Sequence, residues 1–278
     1  MNPGAASDSV WPLLQIRNLR HEYRTRNQSS GSRQPVVCLR QIDLEIRPGT
    51  SVAIAGESGC GKSTLAKCIA RVEPPAAGEI VFQGKNIWSL RRDELNSFRR
   101  QVQLIYQESA TSLNPRFTNE QVVAEPLVIQ GNRSRQDLRE EVLRQLEHVG
   151  LPAEVTSRRP LELSGGQRQR LAIARALILK PRLLIFDEAL TGLDLLVQQK
   201  ILDLLRTLQM QNSLTYLFIT HDLGLAQEMA GEVAVLHDGR IVERICSADL
   251  FTFPRHDYTR RLVHSAQLLK SVSASATR

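Results

Sequence analysis

A segment of nine residues, Gly56 to Thr64, limits the fold of this chain more than any other part of its sequence. Its glycines and Lys62 follow the spacing G-x-x-x-x-G-K-[ST], which is typical of a loop that binds phosphate groups. The apolar run Val52 to Ala55 precedes the loop, and a helical pattern from Lys62 to Val72 follows it. Since the apolar run does not alternate with polar residues, we expect a strand buried on both faces, as in a parallel sheet covered by helices.

The loop supplies the groups that a nucleotide phosphate needs. Glycines let the backbone curl so that successive N–H groups point at phosphate oxygens, and the start of the helix adds its dipole. We expect Lys62 to reach the β- and γ-phosphates and Ser63 to hold Mg²⁺ through its hydroxyl. A glycine-rich turn without a ligand is the alternative, which the agreement of strand, loop and helix disfavours. The residues expected to bind the nucleotide here are Gly56, Glu57, Ser58, Gly59, Cys60, Gly61, Lys62, Ser63 and Thr64.

A second motif, Leu183 to Glu188, is an apolar run that ends in two adjacent carboxylates. We expect Asp187 to enter the Mg²⁺ shell and Glu188 to orient and deprotonate a water for in-line attack on the γ-phosphate. Two acids at the end of a buried strand are costly unless metal and water use them. A solvated strand end is the alternative interpretation of the pair.

A third motif, Leu163-Ser164-Gly165-Gly166-Gln167, stands directly before a helical pattern. Ser164 is a suitable N-cap, and the two glycines leave the first N–H groups of the helix open to a phosphate. Alone, the motif indicates no more than a capped helix. It becomes specific because Asp187 follows 23 residues after Ser164 and His221 follows 34 residues after Asp187.

Composition excludes several classes of protein. The 278 residues are 42% hydrophobic and 23% charged, which is a globular balance and not that of a disordered, collagen-like or knottin-type chain. The cysteines form no C-x-x-C pair, so we expect reduced thiols and no metal cluster. Residues 1–12 contain no apolar stretch, and we expect neither a signal peptide nor a membrane span. The net charge of +7 is a weak indication of an anionic partner.

Hydrophobic periodicity divides the chain further. Strands are expected from Leu13 to Leu19 and from Val36 to Ile46, with an exposed loop from Arg24 to Pro35 between them. The spacing of Leu138, Val142, Leu146 and Val149 predicts a helical lobe, and Ser/Ala-rich sequence after Lys270 predicts a frayed tail. After Ser164 the pattern alternates between helices at 165–179, 195–210 and 222–230 and strands at 183–186, 216–219 and 233–236.

In this order the motifs resemble the ATP-binding cassette (ABC) ATPases over about residues 13–262. The resemblance implies an α/β fold with a P-loop NTPase core of mainly parallel sheet, an antiparallel β subdomain and a helical subdomain at about 107–163, with 263–278 as a C-terminal tail. The motifs that carry it are Walker A at 56–64, the Q-loop Gln107, the LSGGQ signature at 163–167, Walker B at 183–188, the D-loop Leu193-Asp194 and the switch histidine His221.

The resemblance also implies roles for single residues. Gln107 would contact Mg²⁺ and the attacking water, Glu188 would be the catalytic base, and His221 would contact the γ-phosphate. Asp194 would act across a dimer, and Tyr23 would stack on adenine. Each has a simpler alternative: Gln107 as a surface amide, His221 as a capping residue, Asp194 as the N-cap of helix 195–210, and Tyr23 as core packing.

The resemblance further implies an assembly. Two cassettes face head to tail, so that each ATP with its Mg²⁺ lies between Walker A of one subunit and the signature of the other. The second cassette is either a copy of this chain or a sibling. The other expected partners are two transmembrane permease subunits, one of which the helical lobe would dock, and indirectly a substrate-binding protein, but no nucleic acid. The expected location is the cytoplasmic face of the cell membrane.

Weaker similarities narrow the subfamily. The segments 112–116 and 253–259 are similar to ATPases of dipeptide, oligopeptide and nickel importers, and the run 187–195 with the short tail slightly favours the second ATPase of a nickel-type importer. Departures from the family pattern are Ala189 in place of Pro, Thr191-Gly192 in place of Ser-Ala, and Asp257 in place of Pro.

Two other functions remain as alternatives. One is a DNA- or ribosome-associated cassette ATPase, which the positive charge favours. Against it, 56 residues separate Gln107 from Ser164, too few for a long coiled coil. The other is a catalytically weak nucleotide-binding partner of an active sibling, against which the intact Glu188, His221 and Ser164 argue.

Overall fold

The phosphate loop follows a strand at the centre of a mainly parallel sheet. The computed structural model describes residues 11–26, 33–106, 113–131 and 134–275. The strands are β1 Leu14–Arg26, β2 Arg33–Ile46, β3 Ser51–Ala55, β4 Ala77–Phe82, β5 Lys85–Asn86, β6 Val102–Tyr106, β7 Leu183–Asp187, β8 Thr215–Thr220, β9 Glu232–His237 and β10 Arg240–Cys246. The helices are α1 Lys62–Ile69, α2 Arg92–Gln101, α3 Asn119–Gln130, α4 Arg135–His148, α5 Gly165–Leu177, α6 Leu195–Asn212, α7 Leu223–Met229 and α8 Asp257–Ser275.

The parallel sheet has the order β10-β9-β3-β8-β7-β6, and only its edge strand β10 runs antiparallel to its neighbour among the described strands. Every residue of β3 is buried, as the apolar run predicts. Alternate side chains of β3 enter two different cores: Ala53 packs with the helices α5 and α6, and Ile54 packs with α1 and a second sheet. The prediction of a strand covered on both faces is therefore confirmed.

The second sheet is antiparallel, with the order β2-β1-β4-β5. Its β2 buries Ile42, Leu44 and Ile46 and exposes the residues between them, as the alternation predicts. The expectation of a loop from Arg24 to Pro35 is wrong for the described part of that range, because β1 runs to Arg26, β2 begins at Arg33, and Arg24 pairs with Pro35. Backbone pairing extends this ladder through polar residues that carry no alternation signal.

The helical lobe lies between β6 and α5. Its helix α4 buries Val142 and Leu146, and Gly150 follows its end with a φ of +67°, as the spacing and the glycine predict. The Arg175 guanidinium of α5 forms an ion pair with Glu125 of α3 at 2.8 Å. The helix that begins with the signature motif is therefore fixed to this lobe.

The last helix, α8, continues to Ser275, so the prediction of a frayed tail from residue 271 is wrong within the described residues. The expected boundary between residues 262 and 263 lies within the range of this helix and stays a prediction. Its first turns are fixed because Tyr258 and Val263 are buried in the core. Once a helix is nucleated in this way, each further residue adds a hydrogen bond, so the helix continues through residues 271–275 although serine and valine have only moderate helix propensity.

Candidate nucleotide-binding site

The phosphate loop lies between β3 and α1 and has a backbone that only glycine adopts at Gly61. Its φ is +109°, and a Cβ built there would lie 2.6 Å from the carbonyl oxygen of Cys38. Any other residue would strain the loop and push against β2. The backbone of β2 thus presses directly on the loop, which fixes the start of α1 where phosphate is expected.

Lys62 is held over this loop. Its side chain is only 4% exposed, and its Nζ donates hydrogen bonds to the carbonyl oxygens of Gly56 at 2.8 Å and Glu57 at 2.7 Å. The same Nζ lies 4.0 Å from Oε1 of Glu188. A buried ammonium group needs such partners, because removal from water penalises its charged form. The lysine is thereby positioned between the loop and the second motif.

Ser63 and Asp187 meet where the loop and β7 end side by side. The Ser63 hydroxyl donates to Oδ1 of Asp187 at 2.8 Å. Burial, with a further contribution from the neighbouring Glu188 carboxylate, raises the pKa of Asp187 above its ordinary value. A cation at this position would relieve that cost, so the two oxygen ligands have the chemistry that Mg²⁺ prefers.

The described residues contain no group of three or more His, Cys, Asp or Glu side chains that could hold a metal ion by itself. Ser63 and Asp187 supply one hydroxyl and one carboxylate, which is a partial ligand set. Mg²⁺ commonly binds to one or two protein carboxylates together with substrate phosphates and waters. The residues therefore fit a metal that arrives with a nucleotide.

Glu188 adopts a strained backbone conformation directly after β7. Its φ is +50°, which costs free energy in a residue with a side chain. Its N–H donates to the carbonyl oxygen of Ile219 at 2.9 Å, and its own carbonyl accepts from the N–H and hydroxyl of Thr191. These bonds hold the turn in place. Thr191, one of the departures from the family pattern, thus supports the conformation that directs the carboxylate.

His221 follows β8 and completes the cluster. Its Nδ1 lies 3.3 Å from Oε2 of Glu188, and its side chain is half exposed. Direct contacts thus join Lys62, Glu188 and His221, predicted site residues from three separate motifs, at the carboxyl edge of the parallel sheet. This edge is where ligands bind in open α/β sheets.

Tyr23 lies beside the last residue of the loop. Its hydroxyl is 3.1 Å from Oγ1 of Thr64 and donates to the Glu73 carboxylate, and its ring meets His21 edge-on at 4.7 Å. The ring remains 38% exposed, so it is not simply core packing. Glu73, which also pairs with Lys67 at 3.3 Å, has no motif around it in the sequence.

The signature and D-loop residues form a second group. Ser164 caps α5: its Oγ accepts from the Gln167 N–H at 3.3 Å, and its own N–H donates to Oε1 of Gln167 at 3.0 Å. Asp194 caps α6 by accepting from the Val197 N–H at 2.9 Å. A Cβ on Gly165 would contact Leu193, and one on Gly166 would overlap Val197. The two helix starts therefore pack against each other and expose the Ser164 end.

Comparison with known proteins decides the family, since the sequence model for the ABC transporter family matches residues 39–191, more than half of the chain. The chain belongs to the ABC transporter family.

Relatives and solved structures agree with this assignment. The cassette is 41% identical over 258 residues to the "Probable peptide ABC transporter ATP-binding protein" y4tS of Sinorhizobium fredii, covering 91% of this chain and 72% of that protein. It is 38% identical to the dipeptide transport ATP-binding protein DppF of Escherichia coli, covering 93% and 77%. The structure "Dimeric structure of a post-hydrolysis state of the ATP-binding cassette MJ0796 bound to ADP and Pi" matches with a TM-score of 0.74 and 29% identity, covering 84% of this chain and 98% of that one. CbiO1 of Clostridium perfringens, described as part of an ABC transporter complex, matches with a TM-score of 0.74 and 26% identity, covering 87% and 91%.

The family assignment shows the activity of the chain as a whole. This ABC cassette binds ATP and is an ATPase coupled to transport, which confirms both expectations. A membrane-crossing helix, long and apolar over its length, is not found among the described residues.

One predicted site residue lies outside the described part of the structure, and one residue that contacts the phosphate loop was not predicted from the motifs. Gln107 lies outside the described residues, so its predicted role stays a prediction. Tyr258, by contrast, contacts the phosphate loop although sequence analysis gave it no site role: the Glu57 N–H donates to its hydroxyl at 3.2 Å. The sequence places these two residues 201 positions apart, and no local pattern connects them.

Proposed function

We propose that this cassette is the ATP-hydrolysing subunit of a peptide importer. Support comes from the relatives, which are named as peptide or dipeptide transport ATP-binding proteins at 37–41% identity. The preference for a nickel-type importer stays a prediction to which those names add nothing. Because the named relatives are transport subunits, the DNA- or ribosome-associated alternative gains no support from them.

One observation carries the proposed chemistry: Lys62, Ser63, Asp187, Glu188 and His221 form a single contact cluster at one edge of the sheet. Ser63 and Asp187 would hold Mg²⁺ together with the nucleotide phosphates, as Gln107 is predicted to do. Bound there, Mg²⁺ would supply positive charge to the phosphate oxygens. Lys62 and the N–H groups of the loop would bind the β- and γ-phosphates.

Glu188 is the proposed general base. Its carboxylate would accept a proton from the water whose oxygen attacks the γ-phosphorus, while the bond to the bridging oxygen breaks and ADP departs. With its proton on Nδ1, His221 donates to Glu188 and orients the carboxylate toward that water. Tyr23, at the open side of Thr64, is the proposed adenine contact.

The proposed assembly pairs this cassette with a second one. The exposed start of α5, with Ser164 through Gln167, would bind the γ-phosphate held by Walker A of the partner, and Asp194 would lie next to the same seam. The related cassette MJ0796 is described as dimeric, which supports this arrangement. We further propose that the pair docks two permease subunits through its helical lobes at the cytoplasmic face of the membrane.

The variant Glu188→Gln tests the assigned base. It retains the shape of the side chain and the left-handed turn but cannot accept the proton, so we expect ATP turnover to fall at least about 100-fold while ATP still binds. Turnover would be measured as phosphate release, and binding with a fluorescent nucleotide.

Glu79→Gln is the matched control, because Glu79 forms a surface ion pair with Arg17 on the antiparallel sheet, and we expect wild-type turnover from it. Undiminished turnover in Glu188→Gln would refute the base. An inactive wild-type protein that still binds ATP would favour the alternative of a catalytically weak partner subunit.

A further inference from the structure

The start of the last helix touches the phosphate loop. Tyr258 is only 4% exposed, and its hydroxyl accepts a hydrogen bond from the backbone N–H of Glu57 at 3.2 Å. Glu57 is the second residue of the loop. The bond ties this N–H of the exposed loop to a side chain that is itself buried, so it restrains where the loop leaves β3.

The Tyr258 ring is itself held by a second aromatic side chain. It stacks on His237 with ring centroids 3.7 Å apart and an angle of 21° between the planes. His237 ends β9, which pairs with β3 in parallel register. The same end of β9 touches the loop directly, because a Cβ built on Gly56 would overlap the carbonyl oxygen of Leu236. Strand and helix thus support adjacent loop residues.

The helix start is fixed by a carboxylate from another strand. Glu243 of β10 accepts hydrogen bonds from the backbone N–H groups of Arg255 at 2.8 Å and His256 at 3.0 Å. The Tyr258 N–H donates to Nδ1 of His256 at 3.2 Å. N–H groups at the start of a helix have no partner within the helix, and a carboxylate there also interacts favourably with the dipole. Glu243 therefore determines where the tyrosine is placed.

From these contacts we infer that Tyr258 is a positioning residue for the phosphate loop, so that nucleotide affinity depends on the anchoring of the C-terminal helix by Glu243. The inference rests on the proposed function of the same site. The loop binds phosphate through backbone N–H groups, whose directions must be set before the nucleotide arrives. A loop that is already ordered before the nucleotide binds gives a higher affinity, because the loop loses less conformational freedom on binding.

Tyr258→Phe tests the inference in the full-length protein. The variant keeps the ring and its stacking on His237 but removes the acceptor of the Glu57 N–H. We expect the KM for ATP and the Kd of a fluorescent ATP analogue to rise about threefold to tenfold, while kcat stays within about twofold. Glu243→Ala should raise KM in the same direction, and Glu243→Gln, which keeps an acceptor oxygen, should do so less.

Tyr216→Phe is the matched control. It also removes a buried hydroxyl, which donates to the carbonyl oxygen of Leu205 at 2.9 Å. Tyr216 pairs with Ser51 at the start of β3, however, whereas the phosphate loop follows the other end of that strand. We expect a lower Tm and an unchanged KM for this variant. Equal KM values for Tyr258→Phe and wild type, or an equal rise in Tyr216→Phe, would overturn the inference. An unchanged KM in Glu243→Ala would overturn the role of the helix anchor. If wild-type protein itself failed to bind ATP, the proposed function would fail instead.

Discussion

At the residue scale, the two adjacent carboxylates of the candidate site, Asp187 and Glu188, each cost the folded protein free energy. Burial and the adjacent Glu188 raise the pKa of Asp187, which means that its ionised form is destabilised. Glu188 holds a left-handed backbone that a side chain disfavours. Neither feature improves packing. The simplest physical reason for the two carboxylates is therefore that they interact with a bound ligand.

Asp187→Asn should therefore stabilise the nucleotide-free protein while abolishing hydrolysis. The amide oxygen can still accept from the Ser63 hydroxyl, but the buried charge is gone. We expect a higher Tm at neutral pH, where a gain of about 1 kcal/mol corresponds to roughly 2–4 °C for a chain of this size. The measurement is thermal unfolding with EDTA present, together with phosphate release.

The pH dependence of the Tm difference between Asp187→Asn and the wild type tests whether the raised pKa of Asp187 is the cause. The pKa of Asp187 is higher in the folded protein than in the unfolded chain, so the folded state takes up the proton first as pH falls. The advantage of Asp187→Asn should hence be largest at neutral pH and shrink toward acid pH. A Tm difference that stays constant or grows on acidification would contradict the assigned cause.

Sequence predicted the residues whose type and spacing carry the chemistry, and the structure brings Lys62, Ser63, Asp187, Glu188 and His221 into contact. It did not predict residues whose role depends on distant partners. Glu73 meets Tyr23 across 50 positions, and Tyr258 meets Glu57 across 201. No local period or spacing marks such pairs, since the folded chain alone creates them.

At the element scale, the starts of α5 and α6 behave as one unit. Each has a side-chain N-cap, and Gly166 in the first turn of α5 lies directly against Val197 in the first turn of α6. A glycine in a helix is ordinarily unfavourable compared with alanine. Its presence here therefore has a steric reason that does not depend on bound phosphate.

A double-mutant cycle separates this packing from helix propensity. Gly166→Ala alone should lower the free energy of unfolding by about 1–3 kcal/mol, because the new methyl group overlaps Cγ1 of Val197. In a Val197→Ala background that methyl group is gone, and the same substitution should be neutral or stabilising by about 0.5 kcal/mol. Urea unfolding of the four proteins measures both effects. Equal effects in the two backgrounds would show that the contact does not explain the glycine.

Elements with a clear period could be predicted from sequence, and those fixed by pairing or anchoring could not. The buried apolar runs of β3 and β7 and the helical spacing in α4 were sufficient to predict these three elements from the sequence. The polar ends of β1 and β2 are held by their ladder, and the last turns of α8 follow from its buried first turns. In both cases tertiary structure decides what composition leaves open.

At the scale of the whole molecule, the site residues fall into two groups that face different neighbours. One group surrounds Lys62, and the contacts of the other run to the starts of α5 and α6. Beside the second group, Leu195 and Leu196 are 82% and 77% exposed. Exposed apolar residues favour contact with another protein, and the free N–H groups at the start of a helix favour an anion. Together they suit a protein partner that holds a bound anion. This surface supports the proposed pairing with a second cassette.

The pairing can be tested by blocking the α5 helix start without touching the phosphate loop. In the Glu188→Gln background, ATP should drive a dimer that light scattering detects, either of this chain alone or, where the second cassette is a sibling, of this chain mixed with that sibling. Adding Ser164→Arg should keep it monomeric, because the long side chain occupies the space where the phosphate of the partner would lie, while the affinity of the monomer for ATP is retained. Ser134→Arg is the control, because Ser134 also caps a helix, α4, by accepting from the Asp137 N–H at 3.1 Å. This substitution removes a side-chain N-cap at a helix start that belongs to none of the site motifs. Since both substitutions remove about 1 kcal/mol of capping, a dimer lost in both would indicate destabilisation alone, and a dimer kept in Ser164→Arg would refute the proposed seam.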